Sequence, residues 1–139
     1  MKTILEALPA IGAKRTDIEN WLPLLRTHYE PTVRGRARRY SKKNVLELAT
    51  VAALVRAGMP VSSAIVFAEP MSDGLQHEAR EWAVFPAGDY ARVVWTNDLS
   101  SAVADFKFID GVAPAFSIVC LGEVRRRVDA LFNRAKVEA

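Results

Sequence analysis

The stretch RGRARRYSKKNVLELATVAALVRAG, residues 34–58, changes within a few positions from strongly basic to almost wholly apolar. Six of the ten residues in 34–43, which we name the basic segment, are Arg or Lys, and no acidic residue occurs from 31 to 44. A solvated protein face usually mixes both signs of charge. A run with no carboxylate of its own therefore favours an anionic partner, although an ordinary solvated loop is the alternative.

The apolar part of the same stretch predicts a helix that is buried on most of its circumference. Ser41 is a suitable N-cap residue. Residues 45–57 contain only three polar side chains, Glu47, Thr50 and Arg56. An apolar surface this wide must be covered from more than one direction. Gly58 and Pro60 are expected to end the helix.

Composition sets the class of protein. The chain has 139 residues, of which 50% are apolar and 25% charged, so we expect a globular fold of one domain or two very small ones. Residues 1–69 carry eleven Lys and Arg against six Asp and Glu, whereas residues 70–139 carry eight against ten. A basic amino-terminal half fits attraction to a polyanion.

Cysteine content and hydropathy indicate the compartment. Cys120 is the only cysteine, so a disulfide framework is excluded. Glu6 and Pro9 interrupt the amino terminus before an apolar signal region develops, and no apolar run approaches the length of a membrane span. We therefore expect a cytoplasmic protein that has no membrane partner.

Two short helices are predicted before the basic segment. The first carries its apolar residues at helical spacing and stops at Gly12; these residues are Ile4, Leu5, Leu8 and Ile11. The second is capped by Thr16 or Asp17 and runs to about Leu25, with Pro23 marking its end or a kink. Two short helices joined at Gly12 and Ala13 form a helix-turn-helix candidate.

Several of these residues together resemble a known family. They are Gly12, Ala13, Ile18, Trp21, Gly35, Arg38, Arg39, Tyr40, Ser41, Val45, Leu48 and Gly58. In this order they resemble the amino-terminal DNA-binding domain of MerR-type transcriptional regulators, over about the first half of the chain. The resemblance implies a winged helix whose second helix enters the major groove while wing arginines contact flanking phosphates.

The chain also departs from that family. Glu19 and Asn20 stand where the family usually has an Arg and an aromatic residue, so its backbone contacts from this helix are not carried over. No long helix follows Gly58, because a short helix over about residues 61–68 meets Pro70. The coiled-coil dimerisation and the cysteine-based metal sensing of the family are therefore not expected here.

The candidate DNA-binding residues form two groups. Lys14, Arg15, Thr16 and Asn20 lie on the second predicted helix or at its start, where base and phosphate contacts are expected, and Asn20 is suited to an adenine edge. The basic segment supplies phosphate contacts, since the guanidinium group presents a planar set of donors that fits phosphate. Its candidates are Arg34, Arg36, Arg38, Arg39, Tyr40, Lys42 and Lys43.

The second half of the chain predicts a small α+β unit. Strands beginning at Trp82 and covering residues 91–96 form a hairpin around turn residues 86–89, and a short helix ends near Val103. Phe106 and Phe108 alternate as in a strand. A strand over residues 116–121 and an amphipathic helix over about 123–136 complete the unit. The predicted fold is therefore α+β, with a winged helix-turn-helix at residues 1–70 and a dimerisation or effector unit at residues 71–139.

A dimer is expected, because one small winged helix covers only a half-site on DNA. The carboxy-terminal helix offers a stripe at steps of four, three and four residues, namely Val124, Val128, Leu131 and Ala135. This stripe is either the dimer interface or a cover for the sheet of its own subunit, and the pattern leaves both open.

Other chemistry is weighed and mostly declined. His28, His77 and Cys120 have no second ligand at metal spacing, so no metal site is predicted. A nuclease-like cluster of four carboxylates is the enzyme alternative, but turn and cap roles account for those residues, which are Asp89, Asp98, Asp105 and Asp110. We expect no enzyme and no cofactor, and leave open whether a small effector binds.

The sequence thus favours a sequence-specific regulator that binds duplex DNA. An architectural or excisionase-like DNA-binding factor would use the same winged helix. A protein-interaction module whose basic segment meets an acidic partner is the third possibility. Neither the target site nor the sign of regulation follows from the sequence.

Overall fold

The computed structural model describes residues 1–31, 34–77, 80–109 and 115–137. The elements, in chain order, are β1 (Lys2–Thr3), α1 (Ile4–Ile11), α2 (Arg15–Trp21), a 3₁₀ helix (Leu22–Leu24), β2 (Arg39–Tyr40), α3 (Lys42–Arg56), α4 (Val61–His77), β3 (Trp82–Pro86), a second 3₁₀ helix (Tyr90–Arg92), β4 (Val94–Thr96), α5 (Leu99–Ile109), β5 (Phe116–Cys120) and α6 (Leu121–Val137). The mixed α+β class is confirmed.

Helix α3 is the element that the others cover. Its start is fixed by a capping box. The backbone N–H of Asn44 donates to Ser41 Oγ, and the backbone N–H of Ser41 donates to Asn44 Oδ1, each over 3.1 Å. Ten of its residues are buried, including Val45, Leu48 and Leu54. Helices α1, α4 and α6 all pack against it. The predicted buried helix, its cap and its end before Gly58 are confirmed.

The two short amino-terminal helices are confirmed, but the predicted cap of the second is wrong. Its N-cap is Lys14, without a side-chain cap hydrogen bond, so Thr16 and Asp17 lie inside the helix. Gly12 ends α1 in the left-handed conformation (φ 76°), which a residue without a Cβ adopts at little cost, and its amide donates to Leu8 O over 2.9 Å. Trp21 is buried at the end of α2. One detail of α1 differs from the prediction, because Leu5 is 70% exposed. The buried face uses Ala7 and Ala10, and small residues let helices pack closely.

A two-stranded antiparallel sheet joins the amino terminus to the end of the basic segment. Lys2 pairs with Tyr40, and Thr3 pairs with Arg39. This pairing closes the chain around α1 and α2 and delivers Ser41 to the start of α3.

The second sheet has the strand order β4-β3-β5, with both pairs antiparallel. The predicted hairpin is confirmed, with Trp82 opposite Thr96, but its returning strand begins at Val94 rather than at residue 91, because Tyr90–Arg92 form a 3₁₀ helix. Strand β3 is central, and Ala83, Val84 and Phe85 on it are buried. The prediction of strand β5 is also confirmed.

Two predicted breaks are wrong. Helix α4 continues past Pro70 to His77, although an interior proline removes one helical hydrogen bond. Burial of Ala64, Ile65 and Ala68 beside α3 anchors the preceding turns. Helix α5 continues past Val103 through positions 106 and 108, where a strand was predicted.

Helix α6 packs on α3 and α1, so residues from both halves of the chain share one core. Val119, Val124 and Val128 belong to the same buried cluster as Ile11 and Leu48. The predicted boundary at residue 70 falls inside α4. Among the described helices, none is both long enough and apolar enough to cross a membrane.

Candidate nucleic-acid interface

An open groove of about 890 Å³ runs between α2 and the chain that follows it. Arg15, Ile18 and Glu19 of α2 form part of its lining, and Arg36 and Arg38 of the basic segment form another part. Both groups of predicted DNA-binding residues thus contribute to one concave surface. Arg26 also lines this groove. The sequence analysis did not select Arg26, because it stands alone, outside both the helix and the basic segment.

The α2 candidates are accessible. Lys14, Arg15, Thr16 and Asn20 are all exposed. Arg15 Nε lies 3.3 Å from Glu19 Oε1, and both side chains are about 60% exposed. An exposed ion pair of this kind contributes roughly 0–1 kcal/mol. The pair therefore orients Arg15 without holding it firmly.

The basic segment begins with a turn at Gly35 (φ 78°) and has a carboxylate partner after all. Glu30 lies just before the acid-free run; its Oε1 is 3.3 Å from Arg36 Nη2, and its Oε2 accepts from the Arg39 amide over 2.9 Å. The inference that the run lacks a local carboxylate is therefore wrong. Arg34, Arg36 and Arg39 are nevertheless exposed, whereas Arg38 is half-buried.

Tyr40 is not available as a DNA contact. It is 4% exposed, and its ring meets the Tyr29 ring edge-on at a centroid distance of 6.3 Å. The physical reason is the pairing of Tyr40 with Lys2, which turns the side chain into the core. Tyr40 anchors the end of the basic segment instead.

The two lysines at the start of α3 are exposed, and Lys42 pairs with a residue of α6. Lys42 Nζ lies 2.7 Å from Asp129 Oδ1 on α6. The two side chains are 45% and 39% exposed. An acidic residue of the second half thus faces a predicted phosphate contact of the first half. Lys43 is exposed beside it.

Two buried polar residues of α3 hold the chain that leads into the basic segment. Glu47, 1% exposed, accepts hydrogen bonds from the hydroxyls of Thr27 and Tyr29, the second over 2.5 Å. Asn44 Nδ2 donates to His28 O over 2.9 Å. The pKa of Tyr29 is raised well above its usual range, mainly because the hydroxyl is buried and also because it donates a hydrogen bond to Glu47.

Sequence reasoning identified neither Asn44 nor Glu47 as a positioning residue. The signal was their place in an otherwise apolar helix, because a buried polar side chain requires a hydrogen-bond partner.

The stripe predicted for dimerisation lies mostly inside the chain. Val124 and Val128 are 2% and 0% exposed, and Leu131 packs partly buried against the same core. Of the two alternatives, the structure favours the intrachain one, although α3 and α1 are the main partners rather than the sheet. The Ala135 side chain lies outside the described residues.

Two of the four carboxylates considered as an enzyme site, Asp98 and Asp89, have structural roles. Asp98 caps α5 by accepting from the Ser101 amide over 3.2 Å and from Ser101 Oγ over 2.9 Å, and the first of these bonds lowers the pKa of Asp98. Asp89 Oδ2 lies 3.6 Å from Arg92 Nη1 in the hairpin turn. The side chains of Asp105 and Asp110 lie outside the described residues. In the part of the chain that the structure describes, no group of three potential metal ligands comes together.

No protein-family model matches the chain, and no curated protein matches it significantly.

Proposed function

We propose that this protein is a regulator that binds duplex DNA in a sequence-specific way, using a winged-helix unit of the MerR kind in its amino-terminal half. The observation that carries the proposal is the shared groove, where α2 supplies exposed Arg15 and the basic segment supplies Arg36. A helix beside a basic extension is the arrangement that winged-helix proteins use on DNA.

Phosphate contacts come from the exposed cations on both sides of the groove. Within the described residues, Lys14 and Arg34 make no ion pair or hydrogen bond with a side chain, so no protein contact has to break when they meet a phosphate. Arg15, Arg36 and Lys42 each have a carboxylate neighbour in a solvent-exposed pair. A phosphate replaces such a partner at small cost, since exposed pairs contribute about 0–1 kcal/mol each.

Base recognition is assigned to α2. Arg15, Thr16 and Asn20 project from the exposed face of a helix whose other face is held in the core by Ile18 and Trp21. Arginine pairs with the guanine edge and asparagine with the adenine edge, and each bidentate contact contributes about 1–3 kcal/mol of discrimination. A rigidly anchored short helix presents these groups in one orientation.

The test is a binding titration with a random-sequence duplex at two salt concentrations, followed by selection of bound sequences. We expect log affinity to fall steeply with log salt, at about 0.9 per phosphate neutralised, and we expect selection to converge on one motif. Ala at Arg15 or Asn20 should change the selected motif more than it changes binding to random duplex.

Each other outcome removes one part of the proposal. Selection that fails to converge, with cooperative binding, indicates an architectural DNA-binding factor. Absence of duplex binding at low salt removes the DNA proposal and leaves an acidic protein partner. An unchanged motif in both variants removes base recognition from α2.

A further inference from the structure

A second, smaller cleft of about 360 Å³ lies on a different part of the molecule, between α3 and the junction of β5 with α6. Small residues of α3 form one wall, among them Ala49, Ala53 and Ala57, and Ile118 and Val119 of β5 form the other. A volume of this size fits the lower range for small-molecule sites, and an apolar lining with few polar groups is their usual character.

Two guanidinium groups meet at one end of this cleft, above Gly12. Arg56 Nη2 donates to Gly12 O over 2.8 Å. Arg56 Nη2 and Arg127 Nη1 lie 4.0 Å and 3.9 Å from the point where a Cβ of Gly12 would stand. Arg56 Nη2 and Arg127 Nη1 are therefore less than about 8 Å apart. This distance is about the Debye length at physiological salt or shorter, so the two positive charges repel each other.

Among the described residues, no carboxylate pairs with either of these two guanidinium groups. Glu123 also lines the cleft, and its Oε2 pairs with Arg126 Nε over 3.2 Å. Within the described part of the chain, Arg127 makes no hydrogen bond and no ion pair. Two exposed guanidinium groups with unused donors, at one end of a cleft whose walls include the alanines of α3, are complementary to an anion that carries an apolar body.

We infer that this cleft binds a small organic carboxylate, with the carboxylate between Arg56 and Arg127 and the apolar body along the alanine wall of α3. Both arginines keep donors free for a carboxylate, since Arg56 uses one Nη2 contact to Gly12 and Arg127 uses none. The inference stands apart from DNA binding, because neither arginine lines the groove described above.

The position of the cleft gives such a ligand a route to α2. Gly12 ends α1, and Lys14, two residues further on, is the N-cap of α2. A carboxylate held between Arg56 of α3 and Arg127 of α6 therefore ties the last helix to the turn that sets the direction of α2. Ligand binding is expected to stabilise that turn.

The experiment is a calorimetric titration of the intact protein with hexanoate, without DNA. Hexylamine serves as the control with the same apolar body and the opposite charge, and inorganic phosphate as the anion without an apolar body. The variants are Arg127→Gln, which removes one guanidinium, and Ala53→Leu, which fills the cleft without changing its charge. Arg92→Gln is the matched control, because Arg92 lies in the hairpin turn beside Asp89.

We expect saturable hexanoate binding, weakened at least tenfold in Arg127→Gln, since a charge-assisted hydrogen bond is lost, and abolished in Ala53→Leu. Arg92→Gln should bind like the parent, and hexylamine should not bind. Arg127→Lys, which keeps the charge and loses the planar fork, should lie between the parent and Arg127→Gln. It also provides a second reading if circular dichroism finds Arg127→Gln unfolded.

Three results overturn the inference. The first is the absence of saturable binding by hexanoate in the millimolar range. The second is hexanoate binding that is as tight in Arg127→Gln as in the parent, or that persists in Ala53→Leu. The third is phosphate or hexylamine binding as tightly as hexanoate, because the cleft would then not recognise a carboxylate with an apolar body.

Discussion

Two arginine-rich runs in this chain, residues 34–39 and residues 125–127, look alike in sequence and have opposite surroundings. Arg125 and Arg126 lie on α6, where Arg125 Nη2 is 3.0 Å from Glu81 Oε1 and Arg126 is 3.2 Å from Glu123. Arg34 and Arg36 lie on an exposed turn beside the α2 groove, where Arg36 pairs with Glu30. Arg125 and Arg126 thus join elements of the second half to one another, whereas Arg34 and Arg36 remain available to an external anion.

The difference teaches that a run of arginines acquires its role from the elements that present it. Helix α6 is rigid and packed, so its arginines reach carboxylates that the fold fixes nearby, such as Glu81 before β3. The chain that leads into the basic segment is joined to α3 through Asn44 and Glu47, and Arg34, Arg36 and Arg39 of the segment are exposed, whereas Arg38 is half-buried. The predictions below test this contrast, from the largest expected effect to the smallest.

The largest effect is expected where the basic segment is anchored. Glu47→Ala removes the acceptor of the Thr27 and Tyr29 hydroxyls in a partly buried environment, so the free energy of unfolding should fall by about 2–3 kcal/mol. Tyr29→Phe should cost less, about 1 kcal/mol. Urea denaturation of both single variants and the double variant measures the coupling between the two side chains. If the losses in free energy of unfolding of the two single variants sum to the loss of the double variant, the hydrogen bond between Glu47 and Tyr29 does not contribute to stability.

The second prediction compares the two runs directly with matched double variants. Arg34→Ala with Arg36→Ala should reduce the slope of log DNA affinity against log salt by up to about 1.8, which is two phosphate contacts at 0.9 each, and leave stability nearly unchanged. Arg125→Ala with Arg126→Ala removes the same charge and should do the reverse, lowering stability by about 1 kcal/mol through loss of the Glu81 pairs. Salt-dependent anisotropy and urea denaturation measure both quantities. Equal effects of the two doubles on the salt slope would remove the contrast.

The third prediction uses pH. The pKa of Tyr29 in the folded protein is raised above the unfolded value of 10.0, so the neutral phenol stabilises the fold fully below pH 10. This contribution is lost as the pH rises above 10, because the unfolded chain releases the proton first, at about 1.4 kcal/mol per pH unit. Tyr29→Phe should lack this part of the alkaline decline in the free energy of unfolding. Parallel curves for the parent and the variant above pH 10 would contradict the assignment.

The smallest effect is expected at Lys42, where the second half of the chain meets the basic segment. Asp129→Asn removes the carboxylate 2.7 Å from Lys42 Nζ and frees the lysine for phosphate, so DNA affinity should rise about two- to fivefold, as an exposed pair contributes at most about 1 kcal/mol. Asp89→Asn, in the hairpin turn, is the control that changes the charge equally. An equal rise in both variants would mean that net charge alone is responsible.

The sequence predicted the parts of the fold that depend on local chemistry. Ser41 as a cap, Gly12 and Gly58 as ends, and the apolar run of α3 each leave a mark in neighbouring residues. The extent of α5 was missed because Phe106 and Phe108 alternate as in a strand. Helical spacing is also present, in the residues Leu99, Ala102, Val103 and Phe106. Asp98 caps the start of α5, and the helix then continues through these positions.

Most residues of the candidate site were predicted from the sequence, but the carboxylates that pair with them were not. Exposure of Arg15, Asn20 and Arg36 follows from local pattern, and Glu30, the partner of Arg36, lies only six positions before it. The pairing of Lys42 with Asp129 depends instead on where a distant part of the chain passes. Tyr40 shows the same limit, because its burial follows from pairing with Lys2, thirty-eight positions away in the chain. Contacts of this range are decided by the assembled fold.

The packing of α6 against α3 and α1 has a consequence for how the protein is synthesised. Because α6 follows in the chain the helices on which it packs, the part of the core that Val124 and Val128 contact stays uncovered until the ribosome has released α6. A fragment that stops at residue 70 keeps that apolar face open permanently and should aggregate when expressed alone. Folding of the amino-terminal unit is thus completed only after α6 has been translated.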